Sequence, residues 1–246
     1  MPAFLAGACF YYHILADLSL AAHEKKWCNA IASRHHESCL KMELHMEVRE
    51  TPLSKIKADL KMFAQRERKR LSFPFALRMF LLTPGFQFVF SLRLQEMAAR
   101  IPLIGRLLRR IIWWASCLCF SSEIAIGATV GGGFYTPHPF GIVVGTATIG
   151  RDVTILQNVT IGRTSPDSEH DAIIGDGVRI YAGAAVLGAI TLGRNAVVAA
   201  NSVVLKDVPD DCVAIGAPAT IRPRKSAPTS TAAQPSELLP SASQDV

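Results

Sequence analysis

IGDGVR IYAGAA VLGAIT LGRNAV VAANSV VLKDV, residues 174–208, is the stretch whose reading decides the fold. Cut into sixes, it places an aliphatic residue at Ile174, Ile180, Val186, Leu192, Val198 and Val204 without a miss. The fifth place of each hexad is small or apolar as well: Val178, Ala184, Ile190, Ala196, Ser202 and Val208. A period of six fits neither an amphipathic helix, near 3.6, nor a half-buried strand of period two. It fits a solenoid whose short strands turn a corner every six residues, the hexapeptide type of parallel β-helix. One aliphatic side chain per side then points inward, and stacked coils join these into internal ladders.

The same spacing extends upstream. It appears at Ile124 and Val130, and again at Ile149, Ile155 and Ile161, with the step from Val144 to Ile149 one residue short. RTSPDSEHDA, residues 163–172, interrupts the hexads and predicts a loop projecting from one corner. Downstream, the hexads end near Pro209 and AIGAPATI is expected to close the last coil. The solenoid is therefore assigned to residues 121–222. Residues 223–246, rich in Ser, Ala and Pro, read as a disordered tail.

Residues 51–120 read as helical. Thr51 is a candidate N-cap with Pro52 at the first helical position. Pro74 and Pro84-Gly85 break the segments that follow, FQFVFSLRLQEMAAR reads as a short amphipathic helix, and PLIGRLLRRIIWWASCLCF ends in the uncharged run Ile111–Phe120. That run is too short for a bilayer span, which takes about 20 residues. It is expected to pack on the solenoid or on a neighbouring copy, with a membrane-surface contact through Arg106, Arg109 and Arg110 as the lesser reading. Residues 1–50 have no clean period and stand as an N-terminal extension of uncertain role.

Charge is uneven along the 246 residues. Residues 1–122 carry 18 Lys/Arg against 9 Asp/Glu, and residues 123–246 carry 8 against 11, which sums to the net +6. No nucleic-acid-binding signature accompanies the basic half, so solvated helix faces account for it. The six cysteines show neither a CxxC pair nor metal-finger spacing, and no metal is expected. Cys117 and Cys119 lie in the apolar run and are expected to be buried thiols, which suits a reducing cytoplasm.

Chemistry is expected where the hexads break. In TPHPFG, residues 136–141, His138 sits between two prolines on a stiff, extended backbone. A neutral imidazole there could take a proton from a hydroxyl. Glu123 precedes it by 15 residues, close to one coil of about 18, so the two are expected near one another. The plainer alternative has His138 decorating a turn and Glu123 capping the solenoid entrance. The loop supplies a second set of candidates, Asp167, Glu169, His170 and Asp171, for which simple solvation is the alternative. Nucleophile-elbow, P-loop and dinucleotide fingerprints are missing from the sequence, and Gly131-Gly132-Gly133 has no Lys-Ser/Thr after it.

The succession PHPFGIVVG, ILQNVTIG, IIGDGVRIYAGAAVLGAITLGRNAVVAANSVVLKDVP and IGAPATI resembles the hexapeptide-repeat acyltransferases, in particular their serine acetyltransferase branch and related polysaccharide O-acetyltransferases. The resemblance implies a left-handed β-helix, assembled as a homotrimer or a dimer of trimers, with acetyl-CoA as co-substrate in a groove between subunits. It puts His138 at the catalytic histidine, and Glu123 where the branch has an orienting aspartate. Backbone contacts to CoA map near Arg163, Thr164, Ala182 and Ala200. His170 and Asp171 fall on the acceptor side, with Asp171 best aligned to a second histidine of the branch. A carboxylate at that place would repel free serine, so a sugar hydroxyl of a surface polysaccharide ranks ahead of L-serine as the expected acceptor. A non-catalytic scaffold, with or without a tail-bound partner, is the remaining alternative.

Overall fold

Each inward aliphatic predicted from the hexads falls into one of three vertical ladders. The computed structural model describes residues 50–164 and 171–224, which belong to one compact unit. Of the expected N-terminal extension over 1–50, residues 1–49 lie outside the described residues, as do His170, the other charged loop residues 167 and 169, and the tail from 225. Among the described residues, fourteen short strands stack into three sheets, the faces of a triangular prism, and each of the three central coils contributes one strand to each face. The first face is β1(Glu123–Ile124), β3(Val143–Val144), β6(Thr160–Gly162), β9(Ala185–Leu187) and β12(Val203–Val204). The second is β2(Thr129–Val130), β4(Ala147–Ile149), β7(Ala172–Ile174) and β10(Thr191–Leu192). The third is β5(Thr154–Ile155), β8(Arg179–Ile180), β11(Val197–Val198), β13(Cys212–Ile215) and β14(Thr220–Pro223).

Register carries the hexad residues into stacks. Ile124, Val144, Ile161, Val186 and Val204 line up under the first face. Val130, Ile149, Ile174 and Leu192 line up under the second, and Ile155, Ile180, Val198 and Ala214 under the third. All are buried, as are the fifth-place residues from Val178 to Val208. Ser202 is the polar one among them; its hydroxyl accepts from the Gly216 N–H at 3.1 Å, so its burial leaves no unmade bond. The strands are parallel except the last. β14 turns back antiparallel on β13, so AIGAPATI closes the solenoid as a hairpin on the third face.

Four described helices precede the prism: α1(Pro52–Arg66), α2(Phe73–Leu82), α3(Pro84–Ala98) and α4(Gly105–Phe120). Thr51 caps α1, its hydroxyl accepting from the Ser54 N–H at 3.2 Å. Pro74 and Pro84 lie in the first turns of α2 and α3. They open helices rather than breaking them, because a first-turn N–H has no helical partner to lose. The expected burial of the thiols is corrected: on α4, Cys119 is exposed and Cys117 half-buried, and being two residues apart they point to different sides of the helix.

One buried guanidinium fastens the helices to the prism. Arg93 of α3 is fully buried, and it donates to Asp59 of α1 from Nε at 2.9 Å and from Nη2 at 3.2 Å. It also donates to the carbonyls of Val130 at 2.9 Å and Gly131 at 2.7 Å, and to Glu96 at 2.9 Å. Asp59 further accepts from the Phe134 N–H at 2.9 Å. Burial pushes the Asp59 carboxyl above its usual range, with Arg93 and the Phe134 N–H working against that rise. Burial likewise opposes the Arg93 charge, but Asp59 and Glu96 more than offset this and hold the guanidinium charged. Arg93→Met should therefore lower stability by about 3–5 kcal/mol, the usual cost of stranding a buried partner charge. Adding Asp59→Leu should restore part of that loss, and urea denaturation of both variants reads the difference.

Candidate active site

His138 lies on the edge where the third face turns into the first. Tyr135 bridges to Thr154 of the third face, and Val143 begins the first-face strand β3. The residues between them form a longer corner than those above, and that corner is tied down at both ends. Below it, the buried Ser122 hydroxyl donates to the Pro139 carbonyl at 3.0 Å and accepts from the Ile142 N–H at 2.9 Å. Above it, the Asn158 N–H donates to the Phe140 carbonyl at 3.0 Å. Gly141 takes φ +67, and a Cβ there would meet the Asn158 Oδ1 at 2.2 Å. Helix α3 closes the inner side, where a Cβ on Gly85 would meet the Thr136 carbonyl at 2.1 Å. The proline-flanked imidazole is thus held on a fixed backbone with its side chain exposed.

Glu123 reaches the same edge by a different route. It sits on the outward side of β1, in register with Val143, and its N–H donates to the Ile142 carbonyl at 2.7 Å. Among the described residues, neither the Glu123 carboxylate nor the His138 imidazole makes a side-chain hydrogen bond. The one-coil spacing brings them to adjacent coils and leaves the orienting contact unmade in the single chain.

Two of the four expected CoA positions stack above His138. Ala182 and Ala200 occupy this corner in the next coils, joined through Gly183 N–H to Gln157 carbonyl at 3.0 Å and Asn201 N–H to Ala182 carbonyl at 2.9 Å. The other two, Arg163 and Thr164, do not lie there. They sit on the edge between the first and second faces, where the 163–171 loop leaves β6 and returns to β7. The Asp171 Oδ1 accepts from Arg163 Nε at 2.8 Å and Nη2 at 2.7 Å, and from the Thr146 hydroxyl at 2.7 Å. Thr146 is available because the corner after Val144 is the short one. Asp171 is therefore not a bare carboxylate; its charge is matched by a guanidinium.

The two candidate half-sites thus bound opposite margins of the first face. One margin carries His138, Glu123, Ala182 and Ala200; the other carries Arg163, Thr164 and Asp171. Sequence reasoning missed Ser122, Gly85 and Asn158, which hold the histidine corner. Asn158 did carry a signal, as a residue suited to the left-handed region, and it adopts φ 57.

Stacked hexads with a histidine-bearing corner define a hexapeptide-repeat transferase, and the family described as "Bacterial transferase hexapeptide (six repeats)" matches residues 171–206. The serine acetyltransferase of Mycobacterium tuberculosis is 34% identical over 171 residues, covering 69% of this chain and 72% of that protein. The crystal structure of Neisseria gonorrhoeae serine acetyltransferase in complex with serine superposes with a TM-score of 0.60 at 32% identity, over 70% of this chain and 69% of that one. The chain belongs to the serine acetyltransferase family, and its prism is the left-handed β-helix of that family. The serine acetyltransferase of Synechococcus elongatus is 38% identical over 149 residues, 59% of each chain. With the Bacillus pumilus and Bacillus subtilis relatives the match covers 54% of their length, so the chain spans a little over half of these relatives.

Replacing Ser122 by Ala should strand the buried Ile142 N–H and cost about 1–3 kcal/mol. Hydrogen exchange should show the Ile142 amide losing protection while the Val198 ladder keeps its own.

Proposed function

We propose that the protein is an acetyl-CoA-dependent serine O-acetyltransferase in which His138 is the general base. The observation that carries this reading is the single edge on which His138, Ala182 and Ala200 stack, in a chain of this family. His138 would accept the proton of the acceptor hydroxyl, and the oxygen would attack the acetyl carbonyl carbon. As the C–S bond breaks, the departing CoA sulfur would take that proton from the imidazolium and leave as the free thiol. No covalent enzyme intermediate is required. Glu123 would act as a positioning residue, steadying the imidazole once the site is closed.

Serine is preferred to the sugar acceptor expected from the sequence. That expectation leaned on the carboxylate at residue 171, and the Arg163–Asp171 pair offsets the repulsion it assumed. The serine-bound Neisseria neighbour supports the same choice, and another neighbour is a serine acetyltransferase in complex with CoA.

The separated half-sites support an assembly in which the histidine margin of one copy faces the loop margin of the next. Trimeric closure would supply what one exposed imidazole lacks: a second wall, exclusion of water, and an acceptor pocket. Acetyl-CoA and the acceptor would lie in that cleft.

Release of free thiol from acetyl-CoA on adding L-serine is the expected activity. A sugar acceptor that saturates while serine gives no turnover would return the glycan reading, and no CoA binding at all would leave a scaffold. His138→Ala should lower kcat by about 10²–10⁴, the range for losing a general base. Glu123→Ala should lower it less, since it would position rather than transfer.

A further inference from the structure

Helix α4 presents an apolar stripe that nothing among the described residues covers. Ile104, Leu107, Ile111, Trp114 and Leu118 follow a three-four-three-four spacing, which aligns them on one side of a helix. All five are between 52% and 65% exposed. The opposite side is anchored. Arg109 donates to the Ile126 carbonyl, and Trp113 Nε1 donates to the Ile124 carbonyl at 3.1 Å. These bonds to the first coil fix which side of α4 faces outward. The expected packing of the Ile111–Phe120 run is thus met on its inner side, where Trp113 bonds to the first coil, the buried Ser116 meets Ser91 at 2.9 Å and Phe120 packs on Phe88, while the stripe itself is uncovered among the described residues.

Charge selects the occupant. From Met97 to Ser122 the chain holds four arginines (Arg100, Arg106, Arg109 and Arg110) and no acidic residue. Arg106 is exposed beside the stripe, and Arg110 stands over the Trp113 ring at 5.1 Å. A second copy docked stripe to stripe would bring these arginines together without a compensating acid. An anionic lipid surface compensates them and takes the apolar side chains at the same time. Tryptophan beside arginine is the combination that settles at the headgroup boundary. The helix has 16 residues, roughly 24 Å at 1.5 Å per residue. No single described helix is long and apolar enough to cross a membrane, so α4 would lie along the surface.

We infer that α4 is a peripheral docking helix for anionic lipid bilayers, with its stripe in the headgroup boundary and Arg106 and Arg110 on the phosphates. The inference does not depend on the acceptor or on catalysis. It is tested by co-sedimentation of the full chain with vesicles of phosphatidylcholine alone and of phosphatidylcholine with phosphatidylglycerol. Binding should appear with the anionic vesicles and weaken as salt rises. Arg106→Gln with Arg110→Gln should lower the partition coefficient by about thirtyfold, from roughly fivefold per charge near such a surface. Leu107→Ser with Ile111→Ser should abolish binding, with circular dichroism and the mass in solution unchanged. Failure to sediment with either vesicle overturns the inference. So does equal sedimentation with both. A fall in assembly mass for Leu107→Ser with Ile111→Ser also overturns it, because a second copy would then be the occupant.

Discussion

The inward ladder is the constraint on which the rest of the structure depends. Each coil must deliver one aliphatic side chain to each face at the height where the coil below delivered its own. Burying such a side chain is worth about 1.5–3 kcal/mol, and a slipped coil would forfeit three at once while breaking its parallel hydrogen bonds. Length can therefore vary only at corners. The short corner at Gly145-Thr146, the long one around His138 and the loop after Arg163 are the places where this chain departs from the hexad, and they bear its candidate chemistry. The two longer corners fall on the two margins of one face, and the proposed cleft between copies rests on that placement more than on any single residue.

A second constraint sets how the helices meet this prism. Arg93 reads no sequence period, yet it gathers Asp59, Glu96 and the Val130 and Gly131 carbonyls around one charge. A buried ion pair contributes little net stability against an apolar replacement, but it does specify geometry. Here the specified geometry is the seat of α3, whose Gly85 closes on the Thr136 carbonyl behind the histidine corner. The clamp and the site are thereby joined through one helix.

The hexads made the prism, its coil order and its inward residues legible, because burial on a fixed period leaves a direct trace in residue type. His138 stood out as a candidate from the prolines on either side of it, and the structure places it on an exposed corner. The hairpin β13–β14 was not legible, since strand direction is set by a turn rather than by a period. Neither was the Arg163–Asp171–Thr146 cluster, which joins residues from two coils across the short corner and matches the charge of Asp171 with a guanidinium. The one-coil distance from Glu123 to His138 brought them to one edge without predicting a hydrogen bond, because an exposed imidazole is oriented by whatever closes over it. The apolar run in α4 was read correctly as too short to span, but its exposure depends on which side the Arg109 and Trp113 bonds turn inward.

The proposed assembly builds one site from the histidine margin of one copy and the loop margin of another. It is tested most directly by co-assembling two inactive chains, one with His138→Ala and one with Arg163→Ala and Asp171→Ala. Serine-dependent thiol release from acetyl-CoA is then measured. The hybrid is expected to regain activity, because an interface pairing the intact His138 of one chain with the intact loop margin of the other exists only there. A hybrid that forms and stays as inactive as its parents would contradict it.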